Sequence, residues 1–434
     1  MNIPASRNFL ACILLLLLTG LLLHPASAQK VTRRFATDND IVKDSLAKRK
    51  NSPLCNNPLS YLPDTLHPEL SPMRHVRINV HIIQDGHGNY NFSEAEGRKW
   101  IKSLVENANT RLKMNGKMNL PTGNSTPVLP IPFRYQLTGD PNNPKDDGIY
   151  FHRNDSLFCM NKKSKNKNNV FDTRQYETYG IRKDTVINIF FIEHCPDSIK
   201  SPTYKASNDG VGTGTWVKMV GSYYNWSHPV VMSNGDTMRY STWQAAGLFN
   251  HELGHTLGLS HSWNSDDGCE DTPLNRGCWN FNDPAGCTEV SNNVMDYNYS
   301  QMAYSPCQIG KICRNFHNPK QTRKFLVPEW CTYDETKTIT IKSGESAEWD
   351  RAVDVFGDLV VENNATLTIT CNVSIPPGGK IILMPKATLI LDGCTITSLC
   401  EGSFEGIEIW EKKNTKPQIF LKNRARVEKI VHPI

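Results

Sequence analysis

The chain has 434 residues, 38% hydrophobic and 21% charged, with a net charge of +5. That length suffices for two or three domains with cores of their own, and the composition is that of an ordinary soluble protein. So small a charge over so long a chain gives no ground for a nucleic-acid partner.

Residues 1–28 read as a secretory signal peptide. Arg7 supplies the positive start, Phe9 to Leu23 the apolar run, and Ala26-Ser27-Ala28 the small-residue cleavage site, leaving Gln29 first. The apolar run is roughly fifteen residues, short of the ~20 that a spanning helix needs, so no transmembrane segment is expected. A secreted, extracellular location follows, with cell-surface association as a variant of it. Of the 13 cysteines, Cys12 is lost with the signal peptide. The even number left, in an exported chain, is expected to form disulfides. Residues 29–72 are polar and proline-bearing with no sustained period, and read as a linker or short pro-segment.

Val76 to Ile83 alternates with period two and predicts a strand, which Asp85-Gly86 breaks. Ser93 to Met114 predicts a long helix with Ser93 as N-cap and Glu96 completing a capping box. A strand is expected around Pro132 to Leu137, a buried one over Asp184 to Ile192, and a short one over Pro229 to Met232. Glycines at 210, 212 and 214 lie between the last two. This order, ending in a helix that starts near Thr237 or Ser241, predicts an α/β (α+β) layered domain over residues 73–332, with a twisted sheet.

That last helix carries His251-Glu252-Leu253-Gly254-His255-Thr256-Leu257-Gly258-Leu259-Ser260-His261. His251 and His255 are one turn apart and point the same way, so they can share a Zn²⁺ with Glu252 beside it as general base. Ala246, Phe249, Leu253 and Leu257 fall opposite, an apolar stripe that holds the helix to a core. Gly258 permits a sharp turn that brings His261 back as third ligand, leaving a fourth position for water. Cys55, in the segment ahead of the first strand, could cover such a site as a thiolate ligand and impose latency, while an ordinary disulfide is the other reading of it.

Asn292-Asn293-Val294-Met295-Asp296-Tyr297 completes the pattern. The three-histidine motif followed by a methionine turn resembles the metzincin metallopeptidases, and residues 73–332 resemble their pappalysin (cytophagalysin) family. The matching pieces are His251 to His261, Gly268-Cys269-Glu270-Asp271-Thr272-Pro273, Cys278, Cys287 and Asn293 to Tyr297. Matrixins share Ser262, but their Pro-Arg-Cys-Gly switch is absent. The resemblance implies a two-lobed domain with an extended cleft, hydrolysis of protein or peptide substrates, one catalytic Zn²⁺ and a hydrophobic floor at Met295. It implies that Tyr297 stabilises the oxyanion, that Cys269 pairs with Cys287 and Cys278 with Cys307, and that structural Ca²⁺ can be present without assignable ligands.

The last hundred residues change character. Leu359 to Ile369 recurs at Ile381 to Leu391, and Ala-Thr-Leu returns after 22 residues. Such a period predicts an all-β module over residues 335–434, a parallel β-helix with one coil per repeat and a β-sandwich as the alternative. No capping element is evident after Gln418 to Leu421, which reads as truncation. The function expected is that of a secreted zinc endopeptidase. The alternative is a surface adhesin or glycan-binding β-helix protein carrying an inactive zinc domain.

Overall fold

The computed structural model describes residues 31–43, 53–161, 167–231, 235–263, 265–275, 277–279, 287–412 and 415–434. The expected signal peptide lies outside them. The first two strands, β1 (Thr32–Phe35) and β2 (Ile41–Lys43), join sheets built by the C-terminal residues. The layered domain starts with β3 (Arg74–Gln84), α1 (Glu94–Met114), β4 (Phe133–Leu137), β5 (Ile149–Arg153), β6 (Cys159–Met160), α2 (Arg174–Tyr179) and β7 (Ile187–His194). It continues through α3 (Pro196–Ile199), β8 (Asp209–Gly212), β9 (Trp216–Val220), α4 (Ser222–Ser227), the ribbon of β10 (Val230–Val231) and β11 (Thr237–Met238), α5 (Thr242–Thr256) and α6 (Pro306–Phe316).

Its sheet runs β4-β3-β7-β9-β8, with β5 also on β3 and β6 on β7. The strands are parallel except β8, which lies antiparallel to β9 at the edge. Ile78, Val80 and Ile82 of β3 alternate onto the face covered by α1 and α5. There they meet Ile101, Leu104 and Ala108 of α1 and Ala246, Phe249 and Leu253 of α5, the last three from the stripe expected from spacing. Both faces of β7 are buried along its whole length, as its continuous apolar run requires, and Phe190 and Ile192 pack with Trp216 and Val220 on the far side. At the start of α1 the Ser93 hydroxyl accepts from Glu96 N at 3.5 Å and donates to the Glu96 carboxylate at 2.7 Å. The cap is therefore real, but Glu96 bonds to the hydroxyl and not to the Ser93 backbone.

After α6 the strands come in threes. They are β12 (Ile339–Ile341), β13 (Ser346–Trp349) and β14 (Val353–Asp354), then β15 (Leu359–Val361), β16 (Thr366–Ile369) and β17 (Val373–Ser374). β18 (Lys380–Leu383), β19 (Thr388–Asp392) and β20 (Thr395–Thr397) repeat the pattern, as do β21 (Gly406–Glu411), β22 (Gln418–Lys422) and β23 (Arg426–Val427). Each triplet adds one parallel strand to each of three sheets. Leu359 stands beside Ile381 and Leu367 beside Leu389, so the 22-residue spacing puts like residues in register. Their inward side chains, with Val361, Ile369, Leu383 and Leu391, form one apolar core.

The described part of the segment 29–72 carries two strands that its sequence does not predict. β1 pairs antiparallel with β21, β2 lies parallel beside β22, and Ala36 N donates to Ile407 O at 2.7 Å. Residues 32–43 thus close the last coil, where no capping element is legible in the sequence. Arg34 locks the closure, bonding Asp40 at 2.7 Å and Glu411 at 3.3 Å. The fold hides this from sequence reading because two isolated strands carry no repeat and pair with residues nearly the whole chain away.

The cysteines also depart from expectation. Cys55 is bonded to Cys371, which leaves no Cys55 thiolate to occupy a metal and removes the basis of the latency role. Cys269 pairs with Cys307 and Cys278 with Cys287, reversing the pairing that the resemblance implies. Cys159–Cys195 and Cys331–Cys400 complete the disulfides of the described residues, and Cys313 and Cys394 stay as buried thiols. Two of these bridges, Cys55–Cys371 and Cys331–Cys400, tie the all-β module to the residues before it. Asp354 of β14 does the same without a covalent bond, accepting from Arg74 of β3 at 2.6 Å and from Arg323 at 2.8 Å while almost wholly buried.

Candidate metal centre

α5 opens with a complete capping box: Gln244 N donates to the Ser241 hydroxyl at 3.3 Å and Ser241 N to the Gln244 side chain at 2.9 Å. The helix ends at Thr256, and Gly258 follows at φ +98°, a left-handed conformation that favours glycine. A Cβ there would also strike the Asn315 side-chain amide, which donates to Leu257 O at 2.9 Å. The chain reverses sharply at this point, as the motif requires.

The reversal brings three imidazoles together. His251 Nε2 and His255 Nε2 are 3.2 Å apart, and His261 Nε2 is 3.1 Å from each. A tetrahedral set at metal–nitrogen distances of 2.0–2.1 Å separates its nitrogens by about 3.3 Å, so the triangle fits a Zn²⁺ ligand set. The opposite ring nitrogens fix the tautomers. His251 Nδ1 donates to Val294 O at 2.7 Å and His255 Nδ1 to Leu259 O at 2.9 Å, which turns both Nε2 lone pairs inward. Burial lowers all three histidines, His251 to about 3 and His261 to about 4, keeping them neutral as metal ligands must be. Among the described residues the other donor group close enough to share an ion is Cys269, Asp271 and Cys307, whose two sulfurs are bonded to each other.

The methionine turn lies under this triangle. Met295 N donates to the Asn293 side chain at 2.8 Å and Asp296 N to Asn293 O at 3.2 Å, closing the turn. Met295 is fully buried, and its sulfur presses on α5 so closely that a Cβ at Gly254 would sit 2.5 Å from it. Tyr297 is about half exposed, with its ring centroid 4.9 Å from that of His261, 5.2 Å from Trp263 and 5.3 Å from Trp279. Glu252 is nearly wholly buried, and burial pushes its carboxyl up to about 8 against the N–H of Gly212, which donates to it. It faces a cavity of about 710 Å³ lined by Met160, Val170, Phe171, Asp209, Leu248 and Tyr297.

Sequence reading missed several supporting residues. Gln301 donates to Asp296 O at 2.9 Å, and its own carbonyl accepts from Arg111 of α1 at 3.0 Å, so α1 braces the methionine turn. Asp296 is fully buried and bonds both Tyr297 N and the Asn275 amide. Asp271 accepts from the Ser305 hydroxyl at 2.6 Å and from Cys307 N at 2.9 Å, pinning the cysteine-bearing loop to the start of α6. These contacts join residues far apart in sequence, and only the Gly268 to Pro273 stretch that holds Asp271 leaves a trace there.

Residues 199–319 match the family model of the Reprolysin-like metallo-peptidases, M12B. The matched stretch holds β8, β9, α5, the methionine turn and α6, so the metallopeptidase likeness falls on the elements that build the site. It names the reprolysin-like family and not the pappalysin one. Among solved structures, mature mirolysin of Tannerella forsythia in complex with a cleaved peptide aligns at 18% identity, over 59% of this chain and 96% of that one, with a TM-score of 0.38. A promirolysin mutant of the same organism aligns at 15% identity, over 59% of this chain and 85% of that one, with a TM-score of 0.38. Mirolysin in complex with a compound aligns at 17% identity, over 59% of this chain and 96% of that one, again at 0.38. No curated protein matches the chain.

Proposed function

We propose that this chain is a secreted zinc-dependent endopeptidase of the pappalysin kind. The observation that carries the reading is the inward convergence of three neutral Nε2 atoms beside a buried glutamate at the mouth of a cavity. His251, His255 and His261 would hold the ion, which when bound supplies a Lewis acid that polarises the scissile carbonyl and acidifies a water. Glu252 takes the proton as the water oxygen bonds to the carbonyl carbon, and returns it to the amine as the C–N bond breaks. Tyr297, whose ring lies 4.9 Å from that of His261, would bring its hydroxyl to the developing oxyanion. Met295 acts through packing alone, as a floor that keeps the imidazoles in place.

β8 is the edge strand of the sheet, so an extended substrate can add to it by main-chain hydrogen bonds. None of the cavity residues comes from 335–434, in keeping with a module that supports the peptidase domain without forming its cleft. The three stacked parallel sheets favour the β-helix reading of that module over the sandwich. Disulfides and the apolar start of the chain favour export, and no described helix is long and apolar enough to cross a membrane. The test is zinc content measured together with casein hydrolysis. One zinc per chain with hydrolysis supports the peptidase, whereas a metal-bearing but inert protein returns the reading to an adhesin with an inactive zinc domain.

A further inference from the structure

Gly210 and Gly212 alternate with Asp209 and Val211 along β8, so the two share one face of the strand, and that face lies on α5. Neither has positive φ, so backbone freedom does not explain them. Space does. A Cβ on Gly210 would lie 2.6 Å from Glu252 Cγ and 2.7 Å from Glu252 Cδ, and would strike its Oε1. A Cβ on Gly212 would meet main chain instead, 2.8 Å from the Glu252 carbonyl carbon, with His255 Cβ at 3.0 Å. Glycine weakens a strand interior and marks places where another group must approach closely. Here the close group is Glu252 on both counts.

We infer that β8 is the positioning wall of the general base, with Gly210 as a positioning residue that acts through the Glu252 side chain. The inference rests on the proposed role of Glu252. The bare backbone at 210 leaves room for the carboxyl between strand and helix, in the space a Cβ would take. The two glycines therefore have different jobs. A methyl at 210 meets the far end of a flexible side chain, which can swing aside while the fold stands. A methyl at 212 meets rigid backbone and must lift the strand from the helix.

The experiment compares Gly210→Ala and Gly212→Ala in the full chain. It reads zinc content, thermal unfolding of the metal-free protein, kcat and KM on an unstructured peptide, and the crystal structure of Gly210→Ala. Gly210→Ala is expected to keep wild-type zinc content, melting temperature and KM, to lose at least about tenfold in kcat, and to show the Glu252 carboxyl displaced; misplacement by about an ångström costs on the order of 10²-fold. Gly212→Ala is expected to melt early with and without zinc. Adding Glu252→Asp, whose carboxyl is drawn back from the new methyl, should make the cost of Gly210→Ala smaller than it is beside Glu252. Wild-type kcat in Gly210→Ala, an unmoved carboxyl, or early melting, insolubility or zinc loss of the same kind as Gly212→Ala overturns the inference while leaving the peptidase reading intact. An inactive wild type, or a Glu252→Gln variant as active as wild type, removes that reading and the inference with it.

Discussion

Glu252 and the three histidines carry different parts of the chemistry, and single substitutions separate them. Glu252→Gln keeps all three Nε2 atoms and removes only the base, so the variant should bind zinc normally and lose roughly 10²-fold or more in hydrolysis. His255→Ala should lose the metal itself, read as zinc content after dialysis. These residues were legible in the sequence because their geometry is local: a four-residue spacing on a helix, then a glycine reversal. What stayed hidden is what holds them. Val294 O on His251, Gln301 behind the methionine turn and the glycine face of β8 on Glu252 reach the site from other elements, and no spacing encodes them.

At the scale of elements, the clearest pattern was again the repeating one. A strand whose partner is its own copy one coil later writes its register into the sequence, as Leu359 and Ile381 do. The two N-terminal strands have no copy, so no spacing announces their pairing. The all-β module is also stapled to the layered domain, by Asp354 held between Arg74 and Arg323. Removing the charge leaves two guanidinium groups buried without their counter-ion, so Asp354→Asn should destabilise the protein by about 3–5 kcal/mol in denaturant unfolding. By the same reasoning a chain ending near residue 333 should fold poorly, although the module gives nothing to the cavity. Cys55→Ala, which leaves Cys371 unpaired, should lower stability and should not activate the unprocessed protein, as judged by peptide cleavage before and after trypsin.

The molecule as a whole keeps several histidines neutral away from the proposed metal. Burial lowers His81 to about 3, with His152 beside it lowered to about 4, and lowers His317, next to Asp354, to about 4. Unfolded, each returns to about 6.5, so between about pH 6.5 and pH 4 the unfolded chain binds more protons than the folded one. These histidines make stability fall as pH drops through that window, while the buried carboxyls of Glu193 and Glu252, raised to about 8, act in the opposite direction there. Asp354 extends the loss below it: burial alone would raise its carboxyl, but Arg323 and Arg74 outweigh burial and hold it below the ordinary value. Its contribution is present above about pH 4 and is lost as pH falls further. The lowered histidines outnumber the two raised glutamates. Denaturant midpoints of the metal-free protein at pH 7, 5.5 and 4.5 should therefore decrease in that order, and a flat or rising profile would show that the histidines do not set its acid stability.

The central claim is that three converging imidazoles and a buried glutamate make a peptidase that works only with zinc. Zinc titrated into the metal-stripped full chain, with cleavage of an unstructured peptide followed at each step, tests this most directly. Cleavage should rise from nothing and saturate at one zinc per chain. Cleavage by the stripped protein, or none at saturating zinc, would contradict the account.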